Sequence, residues 1–445
     1  MEQQGFFVYL ERGMAESLNI NIKLNLIGTQ RVVAGHPWVR IKDLNHFRQL
    51  PPPGETVRLQ DAAGNFLAHA FSEGSTGDLA FRVLSRERHP VFDAAWWEEK
   101  VERALGLRRR RLLSEPDGML RLINGEADGL PGLFCDKLGP YAVLDVLSPG
   151  VLPYAYYVEG ALQRLTKLKG LVRKVRFRGP LRDGGSAGET PRTARATRTS
   201  DKAEVLPEPV FGEVPRERFL ASEWPLKLWV DLWQGAHEGV FLDQRENRGL
   251  LATVTPGLEM LNGFCYTGAF SAACLKAGAA KTVNVDISRK ALDWARDNLS
   301  ANGLDPAAQE WHAAEAFEIL GAWAKKGRCF GLVLMDPPPY SRAKHGVFKA
   351  SRDFAKLAER SLKVTAEGGY AAFSCGAQDY GRPSFMKHLA EGAAAAGARC
   401  SLVAMGRRGE DFPLLKGFPE GDHQKFALLK LEAKGPAGSG TLTGV

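Results

Sequence analysis

Cysteine is scarce in this sequence, and its few copies are not arranged to act together. The six (Cys135, Cys265, Cys274, Cys329, Cys375 and Cys400) form no C-x-x-C pair, and no Cys/His cluster has zinc spacing. That spacing argues against a disulfide framework and a bound metal, and points to a reduced, cytoplasmic chain. Long apolar runs are missing too. None approaches the ~18 residues that span a bilayer, so no membrane partner is expected. The opening stretch, MEQQGFFVYLERGMAES, carries Glu2 and Glu11 and lacks the basic start and long apolar core of a signal peptide. A strong excess of one charge is also absent. Lys and Arg number 59 against 51 Asp and Glu, a net charge of +8. That balance fits a polyanionic partner such as nucleic acid without requiring one.

What is present is an ordinary globular composition over 445 residues, 44% hydrophobic and 25% charged. At ~100–200 residues per domain this predicts two to four domains. Residues 1–18 read as a loosely attached extension. From Leu24 to Leu84, short apolar segments bounded by turns suggest a small β-barrel. After Pro90 a helix is expected, with Asp93 as N-cap and Trp96, Trp97, Val101, Leu105 and Leu112 at roughly helical spacing. Arg108 to Arg111 are consecutive arginines that must point around that helix. They read either as a solvated or acid-paired face or as a phosphate-contacting patch. Strands over 120–147, a helix over 158–168 and a strand over 171–177 suggest a second, small α+β domain. Residues 181–204 are rich in Gly, Ser, Thr and Arg and hold almost no large apolar side chain, so a flexible insertion is expected. From about Trp224 to Leu431 strands and helices alternate, with strand ends at Asn262, Asp286, Asp336 and Cys375. This is the pattern of a doubly wound, mostly parallel α/β sheet. The tail from Ala433 reads as disordered.

The chemistry gathers at those strand ends. In residues 258–288 a strand runs into a loop containing Gly263 and Gly268, then a small-residue helix near Ala269, then a strand ending at Asp286. The glycines let the backbone turn and approach a ligand, and the helix aims its N-terminus there. A carboxylate at Asp286 can accept both hydroxyls of a ribose. The loop is not G-x-G-x-x-G, which disfavours NAD. A ribose without a pyrophosphate suggests S-adenosylmethionine (SAM). Further on, GLVLMDPPPYS delivers Asp336 to the sheet edge, and the prolines stiffen the exit so that a planar base can dock. GYAAFSCGAQ then ends at Cys375, which reads as a nucleophile, with Cys265 as a packing residue near the cofactor.

These residues resemble the PUA-containing 5-methylcytosine methyltransferases of large-subunit ribosomal RNA, a class I SAM-dependent group. Gly35-His36-Pro37-Trp38-Val39, RLINGEADGLPGLFCDKLG (121–139), GVFLDQRENR (239–248), NGFCYTGAFS, DPPPYS and FSC carry the likeness. The resemblance implies a PUA-like RNA-binding domain over 19–90 and a central α+β domain over 91–180. The insertion at 181–204 would be followed by a Rossmann-like methyltransferase domain over 205–433. It implies methyl transfer to C5 of a cytosine through a covalent cysteine adduct, with large-subunit rRNA as partner and a homodimer as a further candidate assembly.

By the same resemblance Cys375 and Asp336 are the catalytic residues. Asp243, Gln244, Arg245, Asn262, Phe264, Tyr266, Thr267, Gly268, Asp286, Ile287, Glu315 and Asp336 surround the cofactor. Pro337, Pro338, Tyr340 and Arg245 face the substrate. Glu315 stands where Asp is usual, His237-Glu238 where Lys-Thr is usual, and Gly376 where Ser is frequent. Two other readings stay open. Asp-Pro-Pro-Pro-Tyr also resembles the motif of guanine or exocyclic-amine methyltransferases, which need no thiol. The departures admit a catalytically inactive RNA-binding protein on the same fold.

Overall fold

The computed structural model describes residues 20–46, 49–74, 77–177, 206–234, 237–343, 346–378 and 380–444. The N-terminal extension and the 181–204 insertion expected from sequence lie outside them. The described chain divides into two units. One runs to Arg110 and takes in Arg121–Val214 and Leu415–Phe418. The other comprises Arg111–Leu120, Pro215–Leu414 and the residues from Pro419 on.

The first unit opens with β1 (Asn21–Lys23), α1 (Leu26–Val33), β2 (Trp38–Arg40), β3 (Thr56–Gln60), β4 (Phe66–Ser72) and β5 (Leu79–Ser85). The strands lie in the order β1-β3-β4-β5-β2. Alternation turns Val57, Leu59, Ala68, Ala70 and Phe81 onto one buried core with Val39. The Asp93 carboxylate accepts from Trp96 N at 2.9 Å and starts α2 (Ala94–Leu107), whose inward face is Trp97, Val101, Ala104 and Leu105. The helix breaks at Arg108 before α3 (Arg109–Ser114). A second sheet follows from β6 (Leu120–Asn124), β7 (Leu133–Leu138), β8 (Tyr141–Val146), α4 (Ala155–Leu165), β9 (Gly170–Val175) and β10 (Leu206–Gly212), ordered β10-β9-β8-β7-β6. Residues 206–212 thus complete this sheet, antiparallel to β9.

The arginine run separates by environment. Arg108 is buried and makes a two-pronged pair with Asp128 at 2.7 and 2.8 Å. Arg111 pairs with Glu115 at 3.1 Å. Arg109 and Arg110 are exposed. The helix break is what turns Arg108 inward, so a four-arginine phosphate patch does not form.

In the second unit β11 (Phe219–Glu223) and β12 (Leu226–Val230) form a hairpin, followed by α5 (Arg245–Val254). The main sheet then builds from β13 (Glu259–Gly263), α6 (Ala269–Lys276), β14 (Lys281–Asp286), α7 (Arg289–Ala301), β15 (Glu310–Ala313), α8 (Ala316–Lys325) and β16 (Phe330–Met335). A hairpin of β17 (Tyr340–Ala343) and β18 (Gly346–Lys349) interrupts it. Then come α9 (Ala350–Lys363), β19 (Thr365–Cys375), α10 (Arg382–Ala396), β20 (Ala398–Met405), β21 (Lys425–Lys434) and β22 (Thr441–Thr443).

The strand order is β15-β14-β13-β16-β19-β21-β20-β22. The first five strands are parallel, and β21 enters antiparallel between β19 and β20. Chain direction across the sheet reverses between β13 and β16, the crevice where open α/β sheets bind ligands at their carboxyl ends. The tail contradicts its expected disorder. β22 pairs with β20, Gly435 N donates to Gly397 O at 2.7 Å, and Leu442 packs on the main core. Backbone pairing supplies there what the glycine-rich composition withholds.

Candidate active site

The loop leaving β13 is built to turn sharply. Phe264 and Tyr266 adopt positive φ, 59° and 48°, as does Gly268 at 74°. Left-handed conformations at two bulky residues are costly and concentrate at ligand sites. The loop is held on every side. Cys265 N donates to Val285 O at 3.0 Å, Thr267 Oγ1 to Gly239 O at 2.6 Å, and Asn298 Nδ2 to Thr267 O at 2.7 Å. Only glycine fits at Gly268, where a Cβ would stand 2.8 Å from that of Ala295. Burial, helped by the Asp286 carboxylate, pushes the Cys265 thiol well up, which suits a packing residue.

Asp286 closes β14 beside this loop. One carboxylate oxygen accepts from Tyr266 N and the other from Ser288 N, both at 2.9 Å. The next residue, Ile287, is 62% exposed, a bare aliphatic surface at the sheet edge. Glu315, half-buried, precedes α8 at the end of the neighbouring strand. Two carboxylates for hydroxyls or an amine, an exposed aliphatic face for a planar ring, and no phosphate cradle suit a nucleoside such as that of SAM. Asn262 serves inside instead. It is buried and donates to Ser271 Oγ at 2.8 Å, which reaches Asn284 at 2.5 Å, tying β13, α6 and β14 together.

Asp336 leaves β16 at the switch point. Gln244 Nε2 donates to its two oxygens at 3.3 and 3.2 Å and to Ser374 Oγ at 2.7 Å. Ser374 in turn donates to Asp336 and accepts from Gln424 Nε2 at 2.7 Å. Asn247 Nδ2 fixes the Gln244 carbonyl at 2.7 Å. Burial, partly offset by the Ser374 bond and reinforced by the nearby Asp243 charge, raises the Asp336 carboxyl to about 6. A carboxyl titrating there can hold or release a proton near neutral pH.

Other residues of the expected set are placed differently. Arg245 is buried and ion-paired with Asp411, and it also donates to Met119 O at 3.3 Å. Asp243 lies 3.8 Å from His423 Nε2. Pro337 is buried, Pro338 is exposed and Tyr340 is 51% exposed on its hairpin. Cys375 is fully buried. Successive residues of a strand face opposite ways. Ser374 therefore meets the Asp336 network, while Cys375 joins the core of Phe354, Phe373 and Tyr380 on the other face.

Sequence reading passed over Ser374, Asn247, Asp411 and Gln424. A signal existed for Asn247 and Ser374. Asn247 lies inside GVFLDQRENR and Ser374 inside FSC, two of the segments that carry the family likeness.

The reversed strand order, the strained loop with its acidic strand ends and the half-buried Asp-Pro-Pro carboxyl define a SAM-dependent methyltransferase domain, carried behind a small β-domain. Residues 201–414 match the S-adenosylmethionine-dependent methyltransferase family, and residues 22–86 match the PUA-like domain. A Streptococcus mutans structure assigned to the SAM-dependent methyltransferases superposes with a TM-score of 0.79 at 20% identity, over 92% of this chain and all of that one. A methyltransferase solved with S-adenosylhomocysteine superposes at 0.80 and 21% over the same shares.

Among curated proteins the chain is 30% identical to the ribosomal RNA large subunit methyltransferase I of Klebsiella pneumoniae, over 93% of this chain and 98% of that one. The same-named protein of Escherichia coli matches at 30% over 88% and 94%. The chain belongs to the ribosomal RNA large subunit methyltransferase I family. It is a SAM-dependent enzyme, which removes the inactive reading. Among the described residues no helix is long and apolar enough to cross a membrane.

Proposed function

We propose that this enzyme methylates C5 of a cytosine in large-subunit ribosomal RNA, in the cytoplasm, through an adduct with Cys375. The observation that carries the reading is the Asp336 carboxyl. It sits at the switch point, held by the Gln244 amide and the Ser374 hydroxyl, and burial raises it to about 6. SAM supplies the methyl group as an electrophilic sulfonium. Asp286 would accept its ribose hydroxyls, Ile287 would lie against its adenine and Glu315 would take the adenine edge, with Tyr266 and Gly268 shaping the loop beneath.

C5 of cytosine is a weak nucleophile, so a thiolate must first add at C6. As the Cys375 S–C6 bond forms, the C5=C6 pair is released toward C5 and Asp336 delivers or shares a proton at N3. C5 then takes the methyl group. A base then takes the C5 proton, the freed electron pair expels the Cys375 thiolate and restores C5=C6, and the N3 proton returns to Asp336, with S-adenosylhomocysteine as the co-product. The cytosine must be unpaired or flipped to reach this edge, and Cys375, which in this structure faces the core on the side away from Asp336, must be turned toward the ring when it arrives. Cys375→Ala is expected to bind SAM normally by calorimetry and to yield no 5-methylcytosine. Full turnover by that variant sinks the reading.

One observation favours a second reading. Cys375 is fully buried while Tyr340, after Asp-Pro-Pro-Pro, is half exposed. An exocyclic amine could then be gripped by the Asp-Pro-Pro carbonyls and Tyr340 with no thiol. Mass spectrometry of the modified nucleoside separates the two.

A further inference from the structure

A buried cation, Lys425, stands beside Cys375 on the neighbouring strand. In the antiparallel β19/β21 pair Cys375 lies opposite Lys425. Directly opposed residues project to the same face with Cβ atoms about 4.5–5.5 Å apart. Both point away from the Asp336 network, since Ser374 is opposed by Phe426. Lys425 is only 2% exposed, and its ammonium donates to the carbonyls of Ala377 and His423. Those two bonds fix it over the turn that follows Cys375. Burial pulls the proton affinity of Lys425 down, and a charge on Cys375 pulls it back up. An ammonium has three donors, and among the described residues two of them are taken by these carbonyls.

The other charged groups around the pair are accounted for. Asp422 is shared by Arg408 at 2.6 Å and Arg382 at 3.1 Å. Tyr380, whose ring lies 5.9 Å from Lys425 Nζ, bonds His388 Nδ1 through its hydroxyl at 2.7 Å, with Glu391 further along the same helix. Tyr380 stays neutral, since burial, with the Cys375 charge next, drives its hydroxyl far up. Lys425 is therefore the cation placed to meet a charge on Cys375.

We propose that Lys425 is the positioning residue that holds Cys375 as a thiolate. This rests on the C5 reading, in which the thiolate attacks C6. Burial alone disfavours a thiolate. A neighbouring ammonium reverses that, and the same charge stabilises the thiolate when it leaves C5-methylated product. Lys425 keeps its protons throughout. The proton lost by Cys375 goes to solvent before substrate binds.

The test is titration of Cys375 by ultraviolet thiolate absorbance in the full-length protein, taking the difference from Cys375→Ser to remove the other cysteines. Wild-type Cys375 is expected to titrate below the value of about 8.5 for free cysteine. Lys425→Met is expected to reduce the thiolate fraction at neutral pH by about tenfold or more, with turnover recovering as pH is raised, and Lys425→Arg to retain most of it. A merely structural lysine would lower turnover at every pH without moving the titration. Wild-type titration above about 8.5 overturns the proposal without any Lys425 variant. So does an unshifted titration in Lys425→Met. Full turnover by Cys375→Ala instead overturns the C5 reading, so the two failures are distinct.

Discussion

The two units bury carboxylates in opposite ways. In the first, Glu73, Arg82 and Glu126 form one network. Arg82 Nε donates to Glu73 at 2.8 Å and its other arm to Glu126, while Trp38 Nε1 donates to Glu126 at 2.7 Å and Ser148 Oγ to Glu73 at 2.5 Å. The guanidinium answers both acids and stitches the two sheets of that unit together. In the second unit Asp336 meets Gln244 and Ser374, amide and hydroxyl, and no salt bridge among the described residues. A buried carboxylate that is ion-paired is structural wiring. One held only by neutral donors keeps its charge and its proton available to a ligand.

The largest effect that sharpens this contrast is expected at Asp336. Asp336→Asn keeps a polar group of the same shape and removes the exchangeable proton. Turnover is expected to fall by about 10²–10⁴-fold while SAM affinity stays within a small factor. Single-turnover methylation of an rRNA fragment, alongside calorimetry with SAM, checks it. An active variant would mean that Asp336 only shapes the edge.

The corresponding change in the first unit is Glu126→Ala. It leaves Arg82 buried with one acid in place of two and strips Trp38 of its acceptor. The cost is expected to be about 3–5 kcal/mol in stability, read from the denaturant midpoint. Turnover per folded molecule should change little. If Glu126→Ala is as stable as wild type, the network is not what joins those sheets.

The same contrast explains how much the sequence disclosed. The doubly wound sheet was legible because apolar runs alternated with helical spacing, and the strand ends at Asp286 and Cys375 fell where expected. Asp93 as a cap and the helix from Ala269 were readable for equally local reasons. Glu73, Arg82 and Glu126 were not legible, because they are far apart in the chain and meet only through sheet packing. Of the two readings of the arginine run, the solvated or acid-paired one holds, with Arg108 on Asp128 and Arg111 on Glu115; what periodicity could not show is the helix break that sends Arg108 into the core. At the site, Asp336 was legible from its motif, but its holders Gln244 and Gln424 come from segments 92 residues before and 88 after it. Cys375 shows the limit most directly. A one-residue alternation decides whether Ser374 or Cys375 faces the edge, and the motif FSC does not carry that information.

The smallest effect tests the Asp336 environment by stability alone. Its carboxyl titrates at about 6 in the fold because burial disfavours the ionised form. An unfolded Asp titrates near 3.9. Below about pH 4 the carboxyl is protonated in both states and costs nothing. As pH rises through 6 the folded protein must ionise a group that its surroundings resist, and stability is lost. Asp336→Asn never ionises. The variant is therefore expected to match wild type near pH 4 and to exceed it by on the order of 1 kcal/mol at pH 8, after allowance for the partial exposure of the group. Urea midpoints across that range decide it. A constant difference at all pH values would mean that shape rather than charge separates the two side chains. A gain confined to low pH would mean that Asp336 is stabilised when ionised, and the contrast with the paired carboxylates of the first unit would collapse.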